Sequence, residues 1–247
     1  MFLYSYEGRN LGTVHKNPYF HNNSPLMLKY ITLLSLVFLT SCTIPATPPS
    51  GTTPTQTGPV TQTVMIPSPT YGSGKHAVTI FADFQCPACI SFSKTIGPIF
   101  EDYASRGILQ ITYKQYPLTN IHKNAERDAI AWLCAAEQGK YMEYKKNLYA
   151  LEQSKNWATV SDSDRVNAAL GTTLDANKLT ECLTTSKYLP QVRAEMKEGD
   201  TLWVSGTPTI FIDGKKLDLS IFKSTDILRS WLDQYLGVPA SGSGMVK

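Results

Sequence analysis

Residues 81–89 of the chain read FADFQCPAC, and this stretch decides the fold. The apolar, β-branched run AVTIF at 77–81 leads into it and predicts a buried strand. A helical pattern runs from Cys86 to about Tyr103, with an interruption at Gly97-Pro98 that should kink it. The run ILQITY at 108–113 predicts a second strand. Strand, helix and strand at this spacing predict a parallel βαβ unit. The two cysteines should therefore lie where a strand gives way to a helix.

The C-x-x-C motif of Cys86 and Cys89 is predicted to be a redox pair. At the start of a helix, unpaired backbone N–H groups and the macrodipole favour a thiolate over a thiol. Pro87 suits the first helical turn, and Cys89 lies on the same helical face as Cys86. We therefore expect Cys86 to attack and Cys89 to resolve. The alternatives are a fixed disulfide or half of a zinc site, but the sequence holds no second C-x-x-C and no H-x-x-x-H to complete four ligands.

The rest of the chain is predicted to be helical in its middle and to return to strands near its end. Helices are expected from residue 120 or 122 to 138, at 141–151, 163–170, 175–185 and 189–204. The segment TIFI at 209–212, the turn Asp213-Gly214 and a strand at 216–219 form a hairpin signature. An amphipathic pattern at 221–236 predicts a final helix. The order βαβ, helical block, ββα indicates the α/β class.

Three segments carry a family resemblance: FADFQCPAC at 81–89, IHKNAERDAIAWLCAAEQGKY at 121–141 and SGTPTIFIDGKKL at 205–217. Over roughly residues 71–236 the chain resembles the DsbA-like thiol–disulfide oxidoreductases of bacteria. The resemblance implies a thioredoxin fold with an inserted all-helical subdomain. It also implies an enzyme that oxidises cysteine pairs in exported proteins and uses no cofactor. A disulfide reductase or isomerase on the same scaffold is the alternative, because the direction of exchange depends on relative thiolate stability.

The same resemblance gives roles to residues around the redox pair. It implies that Thr207 precedes a cis-proline, Pro208, which packs against the pair and exposes backbone groups that an extended substrate can bind. Many family members carry an acidic residue six positions before the first cysteine, where this chain has Ile80. Asp83, three positions before that cysteine, matches another common family pattern and is the candidate proton relay.

An export signal is predicted ahead of the folded sequence. The apolar run Ile31–Leu39 is too short to span a bilayer, and it follows Lys29, as the h-region of a signal peptide does. It ends in Leu39-Thr40-Ser41-Cys42, which resembles the bacterial lipobox. We therefore expect a lipid-anchored protein of the periplasm or cell surface whose mature chain begins at a lipidated Cys42. A cleaved signal with a chance cysteine and an uncleaved anchor are the alternatives.

These features predict a division of the chain into six parts. The folded domain is expected to begin near residue 75, after a Thr/Pro/Ser/Gly-rich linker that should stay disordered apart from a peripheral strand within Val60–Ile66. The parts are an N-terminal extension of uncertain status (1–26), the lipoprotein signal peptide (27–42), the linker (43–74), the thioredoxin core (75–117 and 204–236), the inserted helical subdomain (118–203) and a flexible tail (237–247).

Two further cysteines, Cys134 and Cys182, fall on the apolar faces of predicted helices. Once Cys42 is lipidated and the redox pair is joined, they are the remaining thiols, and some DsbA-like proteins carry a second disulfide in the inserted subdomain. A structural disulfide between them is therefore expected. The alternative is two separate buried cysteines that pack as small hydrophobic side chains.

Composition and charge narrow the expected partners. The net charge is only +3 and no basic stripe is present, which argues against nucleic acid. The resemblance implies reduced or unfolded exported proteins as substrates, and a membrane quinone-linked thiol oxidase that recycles the pair. A thioredoxin-like metal-binding lipoprotein is a weaker hypothesis, because no histidine is near Thr207-Pro208 in the sequence. No metal site is predicted, and His122 is expected to cap a helix or to pack.

Overall fold

The computed structural model describes residues 65–155 and 157–238. Its five strands form one sheet in the order β1-β3-β2-β4-β5. The strands are β1 (Thr70–Tyr71), β2 (His76–Ala82), β3 (Leu109–Gln115), β4 (Thr209–Ile212) and β5 (Lys215–Leu217). Only β2 and β3 are parallel, and the other neighbours are antiparallel. The α/β class and the βαβ…ββα order are confirmed.

Eight α-helices connect and cover this sheet within the described ranges. They are α1 (Pro87–Thr95), α2 (Gly97–Ser105), α3 (Ala125–Glu137), α4 (Tyr141–Ser154), α5 (Asp162–Asn167), α6 (Ala176–Thr184), α7 (Leu189–Thr201) and α8 (Thr225–Leu236). Short 3₁₀ turns occur at Trp157–Thr159 and Leu219–Ile221. Helices α3 to α7 come between β3 and β4 in the chain, as expected of an inserted helical block.

The centre of the sheet is β2, and its side chains form much of the core. Ile80 is 2% exposed and lies between Tyr113 of β3 and Ile210 of β4 in the strand register. Long β-branched and aromatic side chains fit such a strand, because both faces of a central strand are covered. The strand therefore gives the loop that follows it, with the two cysteines, a rigid base.

The folded domain begins earlier in the chain than the sequence suggested. Residues 65–74 are not a free linker: Thr70 and Tyr71 pair with β3, and the Ile66 N–H donates to Gln191 Oε1 at 3.0 Å. The Tyr141 hydroxyl donates to the Thr70 carbonyl oxygen at 2.7 Å. A peripheral strand is at 70–71, whereas most of the segment Val60–Ile66, where one was expected, lies outside the described residues, and its residues 65 and 66 are in no strand. A Ser/Pro-rich composition did not reveal this edge strand, because long-range hydrogen bonds hold it in place.

Several predicted helix boundaries were wrong. The helices predicted at 163–170 and 189–204 end at Asn167 and Thr201, and two further boundaries differ for local reasons. The last helix begins at Thr225 rather than at 221, because the Ser224 hydroxyl caps it by accepting the Ile227 N–H at 3.3 Å. The helix predicted from residue 120 or 122 begins at Ala125. Turns occupy the preceding residues, and the His122 N–H donates to the Leu118 carbonyl oxygen at 2.8 Å.

The predicted export signal lies outside the described residues. The segments 1–26 and 27–42, including Cys42, and nearly all of the tail cannot be compared with the structure. Within 65–155 and 157–238, no helix combines the length and the apolar character that crossing a bilayer demands.

Candidate active site

Cys86 and Cys89 lie at the start of α1, directly beyond the end of β2. Cys86 is the N-cap residue, with extended backbone (φ −73°, ψ 120°), and Pro87 opens the first turn. Cys86 is 7% exposed and Cys89 is fully buried, and both are free cysteines in the structure. Access from solvent is therefore only to Cys86.

The loop before β4 meets the redox pair. The Thr207–Pro208 peptide bond is cis, and Cys86 in its thiol form donates to the Thr207 carbonyl oxygen at 3.2 Å. The Thr209 hydroxyl donates to the Gly206 carbonyl oxygen at 2.7 Å and so braces this loop. The Thr207 hydroxyl is buried and has no fixed hydrogen-bond partner in the described chain, so its proton can rotate toward a Cys86 thiolate.

The two thiols have opposite pKa shifts. The pKa of Cys86 is lowered from 9.0 to about 5, chiefly because the Cys89 thiol donates a hydrogen bond to the Cys86 thiolate. The Thr207 hydroxyl and backbone N–H groups of the first turn of α1 lower it further, against the opposing effect of burial. Burial and the neighbouring Cys86 sulfur raise the pKa of Cys89 well above 9.0. At neutral pH the reduced pair is therefore one thiolate and one thiol.

Asp83 links this pair to the loop after β3. Its carboxylate accepts from Gln85 N at 2.8 Å, Leu118 N at 2.9 Å and the nearby His122 Nδ1 at 2.7 Å. The Asp83 backbone N–H donates to Cys89 Sγ at 3.5 Å. The candidate relay residue therefore contacts the buried cysteine through its backbone, while its carboxylate binds the imidazole.

His122 is better placed than the sequence indicated. It was expected to cap a helix or to pack, but it is a buried hydrogen-bond partner of Asp83, 7% exposed. Ile80 occupies the position where many members of the resembled family have an acidic residue, and its aliphatic side chain cannot carry a proton. A single sequence gave no signal for the Asp83–His122 pair, because the two residues are far apart in the chain.

A second buried polar cluster behind the motif was missed. The Gln85 Nε2 donates to Asp128 Oδ2 at 2.6 Å, and the Arg165 Nε donates to Asp128 Oδ1 at 2.7 Å. Glu152 completes the cluster and is 4% exposed. The signal for it was present: Asp128 and Glu152 fall in line with the apolar residues of their own helices. A charged residue on an apolar stripe is buried only when it has a partner.

The carboxyl groups of Asp128 and Glu152 compete for one counter-charge. Neither oxygen of Glu152 meets hydrogen-bond geometry with a described residue. Burial raises the pKa of Glu152, and the nearby charge of Asp128 raises it further, whereas Arg165 opposes the shift. Because Arg165 can balance only one negative charge, the pair retains a proton at neutral pH.

The other two cysteines are distant from this chemistry in the chain and are joined to each other. Cys134 of α3 and Cys182 of α6 form a disulfide with Cα atoms 6.0 Å apart. Both are buried, so the bridge ties two helices of the inserted block together.

The histidines of the described chain are held by carboxylates. His76 Nδ1 lies 2.8 Å from Asp213 Oδ2, and His122 is bound to Asp83. No group of three or more histidine, cysteine or carboxylate side chains in residues 65–155 and 157–238 is arranged to hold a metal ion.

A family model described as thioredoxin matches residues 67–234. Among curated proteins, the chain is 29% identical over 139 residues to Na(+)/H(+) antiporter NhaA 3 of Salinispora tropica, covering 56% of this chain and 20% of that protein. It is 22% identical to the probable disulfide bond formation protein D of Bacillus anthracis, covering 56% and 64%. The chain thus spans only about a fifth of the length of the antiporter relatives.

Solved structures extend the likeness over more of the chain. BdbD from Bacillus subtilis is 20% identical, with a TM-score of 0.60 covering 69% of this chain and 93% of its own. DsbA of Chlamydia trachomatis is 18% identical, with a TM-score of 0.59 covering 70% and 93%. MdbA of Actinomyces oris is 18% identical, with a TM-score of 0.58 covering 67% and 86%. At these identities the likeness establishes a shared fold.

Proposed function

The chain belongs to the thioredoxin family, and from this premise we propose that it is a thiol–disulfide oxidoreductase that oxidises cysteine pairs in exported proteins. The observation that carries the proposal is the Cys86–Cys89 pair at the start of α1, facing a cis-proline loop. Its asymmetric acidity favours oxidation of substrates. A pair whose reduced form is stabilised as a thiolate gives up its disulfide readily.

The reaction follows from the exposure of the two sulfurs. A substrate thiolate attacks Cys86 Sγ of the Cys86–Cys89 disulfide, the S–S bond breaks, and Cys89 leaves as a thiolate that takes a proton. The second substrate thiolate then attacks the substrate sulfur of the mixed disulfide. Cys86 leaves as a thiolate, and the substrate has lost two electrons to the enzyme.

Cys89 needs a proton source, because its pKa is raised in a buried position. Asp83 is the proposed relay, since its backbone already contacts Cys89 Sγ and its carboxylate holds His122 Nδ1 at 2.7 Å. An imidazole hydrogen-bonded to a carboxylate can pass a proton to it and take one back. The pair would thus serve in place of the acid that is absent at Ile80.

Single-cysteine variants test the proposed roles. With an unfolded polypeptide that carries a disulfide, the Cys86 thiolate of reduced Cys89→Ser should attack that bond and release one substrate thiolate. The mixed disulfide through Cys86 should then accumulate, because no enzyme thiol remains to resolve it. Cys86→Ser should trap nothing, since Cys89 is buried. Non-reducing electrophoresis followed by mass spectrometry of the adduct gives the result. Trapping by Cys86→Ser alone would reverse the assigned roles, and an absence of adducts from both variants would refute the function.

The proposed setting is outside the cytoplasm. The lipobox at 39–42 supports a lipid on Cys42, residues 43–64 would hold the folded domain off the membrane, and the helical block 118–203 would be the inserted subdomain. A quinone-linked membrane thiol oxidase would return the pair to its disulfide. Mass spectrometry of the protein from a membrane fraction should find a lipidated N-terminal Cys42. An unmodified N-terminus upstream of Cys42 would refute the anchor.

A further inference from the structure

Trp203 is the most exposed large apolar side chain in residues 65–155 and 157–238, with 86% of its surface accessible. Leu202 beside it is 41% exposed. Both follow α7 directly, and Trp203 precedes Thr207 of the cis-proline loop by four residues. An indole that stays in contact with water does not stabilise the folded domain through the hydrophobic effect.

The backbone of Trp203 is also unfavourable for a tryptophan. Its φ is +58°, in the left-handed region that favours glycine. The corresponding positions after α2 and α3 are Gly107 and Gly139, with φ of +71° and +72°. The same position after α6 is Ser186, with φ of +50°, so glycine occupies two of these helix ends and other residues occupy two. Trp203 is the large apolar residue among them, and its side chain adds strain without being buried. A strained residue near a reactive centre points to a role outside folding.

The base of this loop is fixed. Val204 is buried, and its carbonyl oxygen accepts the Tyr116 hydroxyl at 3.0 Å. The Tyr116 ring packs so closely on α7 that a Cβ at Gly199 would come within 2.6 Å of it. The backbone that carries Trp203 therefore has a fixed base at the start of the segment that leads into the cis-proline loop.

A partner joined to Cys86 must pass along this loop. Cys86 Sγ lies 3.2 Å from the Thr207 carbonyl oxygen, so the partner's cysteine is held beside Thr207. Four residues of extended chain reach at most about 14 Å, which limits the contact at Trp203 to residues within a few positions of that cysteine. The occupant is thus an extended polypeptide, and an apolar side chain near its cysteine would cover the indole.

We propose that Trp203 is a docking residue that selects substrate segments with an aliphatic or aromatic side chain about three residues from the reactive cysteine. This inference rests on the proposed function and goes beyond it by naming the sequence class of the preferred substrate. Leu202 widens the apolar surface that such a side chain would contact.

Two reduced peptides test the proposal with the oxidised full-length protein. Each peptide has one cysteine. One peptide has leucine at the third position before and after that cysteine, the other has serine at both positions, and the two are otherwise identical. The readout is the ratio of the rates at which the two peptides reduce the Cys86–Cys89 disulfide. When this ratio is compared between wild type and a variant, any change in the reactivity of the enzyme's own disulfide cancels. We expect the leucine peptide to react about three- to tenfold faster, as for a packed aromatic contact.

Three variants complete the design. Trp203→Gly should bring the ratio close to one and leave the unfolding temperature equal or higher, because glycine adopts a positive φ without strain. Trp203→Phe should keep most of the preference, and Leu170→Ala, at another exposed apolar residue, should keep all of it.

An unchanged ratio in Trp203→Gly would overturn the proposal. A clearly lower unfolding temperature of that variant would do so as well, because the indole would then serve the fold. If neither peptide reduces the wild-type protein, the proposed function fails and takes this inference with it.

Discussion

At the residue scale, the acidity of Cys86 depends on a few hydrogen bonds that converge on one sulfur. Its folded pKa lies below its unfolded value, so in the reduced protein the thiolate stabilises the fold at pH above 9.0. That stabilisation is lost as the pH falls through about 5. The position of Cys86 at a helix start predicted the direction of this shift. The family resemblance placed Thr207 beside the pair but did not predict that its hydroxyl lowers the pKa of Cys86, because no pattern within one sequence links two residues so far apart.

Thr207→Val should raise the pKa of Cys86 from about 5 toward its ordinary value, because the variant lacks the hydroxyl that faces the thiolate. The shift should be partial, since Cys89 and backbone N–H groups remain as donors. The measurement is the pH dependence of iodoacetamide alkylation of the reduced protein. Thr180→Val, on an exposed part of α6, is the control. An identical alkylation midpoint in Thr207→Val and wild type would contradict the assigned role.

Glu152→Gln should change how stability depends on pH. The folded pKa of Glu152 lies above its unfolded value of 4.5, so the native state keeps a proton that the unfolded chain releases. Wild type should therefore lose stability as the pH rises from about 4.5 to about 8, and the variant should lack this part of the loss. The relative gain at pH 8 should be on the order of 2–4 kcal/mol.

Urea unfolding at pH 5 and pH 8 measures this difference. Glu143→Gln, on the exposed side of the same helix, is the matched control and should follow wild type. Parallel curves for wild type and Glu152→Gln would mean that Glu152 is already ionised in the fold.

At the element scale, strands and helices with strong periodicity were predicted well, and elements that depend on distant partners were not. The pattern AVTIF predicted β2, and the hairpin turn Asp213-Gly214 was placed correctly between β4 and β5. Strand β1 was not recognised, because its two residues gain their order from hydrogen bonds to β3. The helical pattern from Cys86 to about Tyr103 forms two helices divided at Ile96, directly ahead of Gly97-Pro98, where the sequence predicted an interruption and a kink.

The Cys134–Cys182 disulfide should stabilise the helical block without taking part in exchange. It joins residues 48 apart in the chain, and closing such a loop in the unfolded state is worth about 4 kcal/mol in the chain-entropy model. In a background with Cys86→Ser and Cys89→Ser, adding Cys134→Ala and Cys182→Ala should lower the free energy of unfolding by about 2–4 kcal/mol.

Reduction of that two-serine background with dithiothreitol provides a control without any change of side chain. It should produce a similar loss of stability, since it opens the same loop. Equal unfolding midpoints before and after reduction would show that the bridge contributes nothing to stability.

At the scale of the whole molecule, one sheet brings together three segments that are far apart in the chain. The strand β2 ends at the C-x-x-C motif, the loop after β3 supplies His122, and the loop before β4 supplies Thr207 and Pro208. The sequence predicted two of these segments from strand–helix spacing and family resemblance. The third, together with the Gln85–Asp128–Arg165 network, required coordinates.

The reduction potential of the Cys86/Cys89 pair tests the central claim most directly. It can be measured by equilibrating the full-length protein with glutathione buffers and counting free thiols by mass spectrometry. A thiolate-stabilised reduced state predicts a potential nearer to about −120 mV, where strong oxidants lie, than to about −270 mV, where thioredoxin lies. A value at or below about −270 mV would contradict the account and identify the chain as a reductase.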